Sequence, residues 1–137
     1  QCHHTKEEEL LFPALVRKGI PHPGGPVGVM LHEHEEGRAL IREMAKAGEA
    51  LQSGDSEAGS RWAKAARQYG PLLRDHIFKE NNILFVMAER VLTPEELEHL
   101  AVEFDRVEIE KLGAGTHERL HEKMHRVIAE LAVPALG

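Results

Sequence analysis

One ten-residue pattern occurs twice in this chain and limits what it can fold into. His3-His-Thr-Lys-Glu-Glu-Glu-Leu-Leu-Phe12 and His76-Ile-Phe-Lys-Glu-Asn-Asn-Ile-Leu-Phe85 share the form H-x-x-K-E-x-x-(L/I)-L-F. On an α-helix, positions i and i+4 share a face, with Cβ atoms about 5–6 Å apart. His3 and Glu7 can therefore address one object, as can His76 and Glu80. The apolar residues after each pair pack above it, so the polar pair is drawn toward an interior. A buried carboxylate is costly unless it is paired or bound to a metal. Two such helices facing each other bring two imidazoles and two carboxylates together. A carboxylate can bridge two cations, and imidazole with carboxylate suits iron, manganese or zinc better than calcium or magnesium. The bland alternative is two surface i,i+4 contacts worth a few tenths of a kcal/mol each. The charged neighbours Lys6, Glu8 and Glu9 make that tenable for the first copy alone; the second copy, with matching apolar flanks, favours metal ligation.

The rest of the chain reads as helix nearly throughout. Leu10, Leu11, Ala14 and Leu15 fall at helical spacing in residues 2–18, with Gly19 as a stop and Pro13 as a kink or break. Ile20-Pro-His-Pro-Gly-Gly-Pro26 is a loop on chemistry alone. The spacing predicts a second helix over about 27–52, with Met30, Leu31, His34, Leu40, Ile41 and Met44 facing inward. A turn at 53–56 comes next, with Asp55 or Ser56 able to cap a third helix over about 57–91 that is kinked at Pro71. Thr93-Pro-Glu-Glu96 reads as a capping box with proline at the first helical position. A fourth helix runs from there to about residue 111, Gly113-Ala-Gly115 breaks it, and a last one runs from about 116 to 133. No segment alternates as a strand does. The expected fold is all-α, an antiparallel four-helix bundle with an additional C-terminal helix. One domain over 1–137 is expected, with metal-binding helices in 1–92 and C-terminal helices in 93–137.

Composition narrows the function classes. The chain has 137 residues, 29% of them charged and 42% hydrophobic, which excludes disorder. A formal net charge of -6 argues against nucleic acid as a general partner. No apolar run approaches the roughly 20 residues that span a bilayer, and no signal peptide is visible. The single cysteine, Cys2, excludes a disulfide scaffold and makes a reducing cytoplasm the simplest compartment. The outlying number is ten histidines, since imidazole is the commonest metal ligand among side chains. The chain opens at Gln1 with a helical pattern already under way by His3, as expected of a sequence missing an upstream element.

A third element belongs with the two repeats. In Met30-Leu-His-Glu-His-Glu-Glu-Gly-Arg38, His34 shares a face with Met30, Leu31, Ile41 and Arg38, whereas His32 points away. Taken together, His3-x-x-x-Glu7 with Glu8 and Leu-Phe-Pro13, Glu33-His34-x-x-Gly37-Arg38, and His76-Ile-x-x-Glu80 with Leu84-Phe85 resemble the hemerythrin-like proteins of the HHE cation-binding type. The stretch from Gly113 to His121 also resembles the tail of some bacterial members. Each piece alone is weak; their order and separation carry the resemblance.

The resemblance implies a non-haem di-iron site inside a hemerythrin-type four-helix bundle. Glu7 and Glu80 would bridge two Fe ions, His3, His34 and His76 would be terminal ligands, and a bridging oxo or hydroxo group would complete the centre, with Zn or Mn as alternative metals. Open positions would take O2, NO or peroxide, for a role as sensor, scavenger or iron-handling module. The family also has a histidine on a helix before the first H-x-x-x-E, which this sequence lacks. Oxygen carriers have H-x-x-x-H in the middle helix; here Arg38 and Met30 stand four residues either side of His34, which tells against a simple carrier. No separate nucleophile, phosphate loop or substrate-pocket signature is present, so any catalysis would be redox chemistry of the metals. The competing reading is a zinc-bound or metal-free helical interaction module without redox activity.

The remaining candidates keep two readings each. His4 with Glu8 is the rival i,i+4 register, and the alignment with His76 favours His3. His117, His121 and His125 form one stripe: either an additional metal ligand, from this chain or from a second copy in a homodimer, or a solvated face. Tyr69, two turns before His76, is either a hydrogen-bond donor behind the ligands or a core aromatic. Arg38 either pairs with a carboxylate near the site or is solvated. Cys2 is a thiol near the start of the chain or a redox-active neighbour of the metal. His22 and His99 read as surface residues.

Overall fold

The structure, a computed structural model, describes residues 2–113; of Cys2 and Leu112 only the backbone is described. These residues form four helices and no strand. Helix α1 covers 2–17, as α-helix at Cys2–Lys6, a π-helical turn at Glu7–Leu11, and α-helix at Phe12–Arg17. Helix α2 is Gly25–Gln52. Helix α3 covers 58–91, as α-helix at Ala58–Lys79, a second π turn at Glu80–Leu84, and α-helix at Phe85–Val91. Helix α4 is Pro94–Leu112. The additional helix expected over 116–133, with His117, His121 and His125, lies outside the described residues.

Pair contacts give the topology. Glu8 meets Arg38 while Phe12 meets His34, so α1 and α2 run in opposite directions. Tyr69 meets Gly37 while Lys79 meets Glu33, so α2 and α3 do too. Lys6 pairs with Glu108 and Lys18 with Glu96, setting α4 antiparallel to α1. The result is an up-down-up-down bundle in which α1 and α3, the two helices that carry the repeat, run the same way. No helix among the described residues is long and apolar enough to cross a membrane.

Local chemistry explains the boundaries. Gly19 ends α1 at φ 90°, a conformation that costs glycine little. At the start of α4 the Thr93 hydroxyl accepts from the Glu96 N–H at 3.3 Å, and the Glu96 carboxylate accepts from the Thr93 N–H at 2.8 Å. Before α3, the Asp55 carboxylate accepts the Glu57 N–H at 3.0 Å.

Both prolines are accommodated without a break: α3 is continuous through Pro71, and α1 through Pro13, with the π turn just before it accommodating the lost N–H and the ring. Proline does not cause the π geometry, because the same turn recurs at Glu80–Leu84, where Val86 stands in the place of Pro13. Both π turns begin at the glutamate of the repeat. Ile41 is 47% exposed rather than inward. The buried residues of α2 are instead Val27, Met30, His34, Gly37 and Ala47.

The apolar core lies directly behind the repeats: Leu11, Phe12 and Leu15 from α1, Val27 and Met30 from α2, Leu84 and Ala88 from α3. Leu15 has no solvent exposure. Leu15→Ala is expected to cost about 2–5 kcal/mol through lost contact and a residual cavity, read as a lowered urea midpoint with unchanged slope.

Candidate metal centre

Because α1 and α3 are parallel, their repeats meet in register. In each, the histidine sits in the last α-helical turn and the glutamate opens the π turn. A π turn inserts one residue and so rotates the downstream residues about the helix axis; π bulges recur at functional sites. Here it brings both Leu11 and Phe12 into the interior after Glu7. Phe12 then stacks on His34, with ring centroids 5.7 Å apart.

His3, Glu7, His34, His76 and Glu80 converge on one point. His3 Nε2 lies 2.9 Å from Glu80 Oε1 and 3.8 Å from Glu7 Oε2. His34 Nε2 lies 3.0 Å from Glu7 Oε2, and His76 Nε2 lies 4.0 Å from Glu80 Oε2. Glu7, His34, His76 and Glu80 are all buried, while the His3 side chain is 60% exposed and forms the rim. Potential ligand atoms fall into two sets, each with its members within 4.8 Å of one another: those of His3, Glu7 and Glu80, and those of His4, His34 and His76.

The decisive observation is what these atoms lack. Both Glu7 oxygens, His34 Nε2 and His76 Nε2 are buried without a hydrogen-bond partner; the short His34–Glu7 approach is not aligned as a hydrogen bond. Buried polar atoms in proteins are nearly always satisfied, and an unpaired buried carboxylate is costly. A cation among oxygen and imidazole donors resolves all four at once, and the donor set suits iron, zinc or manganese.

A second layer fixes the imidazoles. His34 Nδ1 is 2.7 Å from Glu8 Oε1, and Arg38 donates to the same oxygen at 2.7 Å. His76 Nδ1 is 3.1 Å from Glu33 Oε2, and Lys79 donates to the other Glu33 oxygen. Burial works to raise both carboxyls, but the hydrogen bonds from Arg38 and His34 hold Glu8 below the ordinary range, and those from Lys79 and His76 do the same for Glu33. An ionised carboxylate accepts from Nδ1–H, which leaves the Nε2 lone pair facing inward, the usual carboxylate–histidine arrangement at metal sites. Burial also works to raise Glu80, and the His3 hydrogen bond keeps it below its ordinary value. That same bond lifts His3. His4 is pushed down to about 4, first by burial and then by His34, so it is a neutral imidazole near pH 7.

The sequence that builds this arrangement has known relatives. The profile of the Hemerythrin HHE cation binding domain matches residues 1–88. The chain belongs to that family. As a hemerythrin-like chain it is 34% identical over 87 residues to the iron-sulfur cluster repair protein DnrN of Neisseria gonorrhoeae, covering 61% of this chain and 54% of that one. It is 36% identical over 90 residues to the iron-sulfur cluster repair protein YtfE of Escherichia coli O157:H7, covering 63% and 40% respectively. The match thus spans about half or less of each relative's length. No solved structure gives a significant match.

Around the hemerythrin-like centre, Arg38 lies in the outer layer, bonded to Glu8 and, at 3.1 Å, to Glu35. Tyr69 packs beside Gly37 and lines a cavity of about 20 Å³ with His4, His34 and His76. Glu8 and Glu33, not Tyr69, hold the Nδ1 atoms. His22, His32 and His99 are exposed. Sequence reading passed over Glu8, Glu33 and Lys79 as outer-layer groups and set His4 behind His3. The signal for Lys79 was present: the lysine shared by both repeats grips a neighbouring helix's acid in each case, Lys6 with Glu108 and Lys79 with Glu33. Glu33→Gln is expected to weaken metal affinity about 10- to 100-fold, checked by calorimetric titration of the metal-stripped protein with Zn2+. His22→Ala and His99→Ala are expected to leave that titration unchanged.

Proposed function

We propose that this metal-binding module holds two iron ions between α1 and α3 and serves in iron handling, binding or reacting with a small diatomic or peroxide. The observation that carries this reading is the set of four buried, unpartnered ligand atoms of Glu7, His34 and His76 facing one another at the bundle centre. When bound, a di-iron pair supplies one-electron redox steps and an open position for a small ligand.

The chain's own residues do the rest. Glu7 and Glu80 each offer two oxygens and approach the imidazoles of His3, His34 and His76, so they would bridge the ions, and those three histidines would be the terminal ligands. Glu8 and Glu33 keep the Nδ1 protons in place and, through Arg38 and Lys79, keep their own charge. Phe12 and the apolar layer behind it keep water from the inner side of the centre. The exposed His3 edge is where a small molecule would enter.

Iron handling is preferred over oxygen carriage for two reasons. The compared relatives are iron-sulfur cluster repair proteins by name. The middle helix also offers one inward imidazole: Arg38, four residues past His34, is engaged by Glu8, and Met30, four before it, is in the apolar core. A reducing cytoplasm suits such a role.

Protein purified without chelators is expected to carry about two iron per chain, with oxo-to-iron absorption in the near ultraviolet. Zinc, or no metal, would instead point to a non-redox helical module. Glu7→Ala and Glu80→Ala should each abolish binuclear binding; two iron retained in both variants would overturn the bridging assignment.

A further inference from the structure

Five residues account for the two-iron reading, and a sixth stands among them without a role. His4 adjoins His3, and neighbouring helix residues point about 100° apart, so a bundle axis normally receives only one of two such side chains. Here both reach the centre. His3 comes from the rim to Glu80, while His4 lies flat over His34, with centroids 3.7 Å apart and planes inclined by 6°. The His4 centroid is also 6.0 Å from that of His76. The i,i+4 partner that would explain His4 as a local helix contact is taken: Glu8 is bound by His34 and Arg38. Its nearest rings are imidazoles, with a ring nitrogen from each of His4, His34 and His76 inside 4.8 Å of the others, and Tyr69, Leu72 and Leu73 line the small cavity beside them.

We propose that His4 is itself a metal ligand, so that the centre has two unlike poles: one whose terminal ligands are the imidazoles of His4, His34 and His76, and one where His3 is the terminal ligand, with Glu7 and Glu80 shared between them. This rests on the two-metal reading above. Three imidazole nitrogens with no acid among them have little to offer one another, but they make a good set for a borderline cation. Two of the three, His34 Nε2 and His76 Nε2, are buried and unpartnered, and their rings are fixed by Glu8 and Glu33. His4 has no such carboxylate and is the adjustable member: lying parallel to His34, it must turn its ring before both nitrogens can meet one ion. The poles differ in access as well: His34 and His76 are buried, whereas His3 is open to solvent. The three-imidazole pole should therefore fill first and release its ion slowly, and the His3 pole should exchange.

Titrating metal-stripped protein with Co2+, followed by calorimetry and by the visible absorption of the bound ion, tests this. Wild type is expected to show two separate steps. His4→Ala should weaken the tighter step at least 10-fold and leave the weaker step in place, and His3→Ala should do the reverse. His4→Phe keeps a ring stacked on His34 but offers no nitrogen, so it should bind like His4→Ala, with circular dichroism verifying an intact bundle. Added free imidazole should restore the tighter step in His4→Ala. Wild-type affinities for both steps in His4→Phe, or no rescue by imidazole, would overturn the ligand role of His4 while leaving the two-metal reading standing. Failure of wild type to bind Co2+ at all would overturn both.

Discussion

Acidic oxygens and imidazole nitrogens buried together without partners are the constraint on which this molecule depends. Both Glu7 oxygens and the inner nitrogens of His34 and His76 are out of water and unpaired. In an ordinary bundle such a layer would be replaced by leucine, since apolar side chains fill the same space without a desolvation penalty. Its presence beside a dry layer of Leu15, Val27, Met30 and Leu84 makes sense if a cation sits among the four atoms. Much of the rest of the architecture holds that layer in place. Parallel α1 and α3 set the repeats in register, each π turn begins at the acid, and antiparallel α2 supplies His34 together with Glu33 and Arg38 for the outer ring.

The outer ring shows how a bundle can hold a charged centre without exposing it. Each inner imidazole leans on a carboxylate, and each carboxylate leans on a cation, so two hydrogen-bonded chains run outward from the centre: His34 to Glu8 to Arg38, and His76 to Glu33 to Lys79. Arg38 and Lys79 lie nearer the surface, where their charge is solvated. This chain of contacts orients the rings before any ion arrives, and such pre-organisation strengthens ligation. The two poles inferred from His4 obey the same logic: the better-buried set is the better-fixed one.

Much of this was legible in the sequence, for physical reasons. Spacing of four on a helix fixes a shared face, so the duplicated His and Glu declared the helix and the cluster that makes up the candidate site; Thr93 to Glu96 declared a cap, and Gly19 a stop. Ile41 was misread because helical periodicity marks an apolar face but not how many neighbours reach it. Proline rules suggested a kink or break at Pro13 and a kink at Pro71, and the helices are continuous through both. The π turns left no mark beyond the repeat itself. Glu8 and Glu33 were hidden among other acids, because which glutamate meets which histidine across helices depends on axial register that one sequence does not state. His4 was set second because one-dimensional alignment allows a single histidine per repeat, while the fold draws both in.

The most direct test is the reversible unfolding of chelator-stripped protein, measured anaerobically across a series of ferrous iron concentrations. A ligand that binds only the folded state stabilises it by about 2.7 kcal/mol at a hundred times its dissociation constant. The account predicts a denaturation midpoint that climbs steadily with iron; a midpoint that stays fixed at every iron concentration would contradict it.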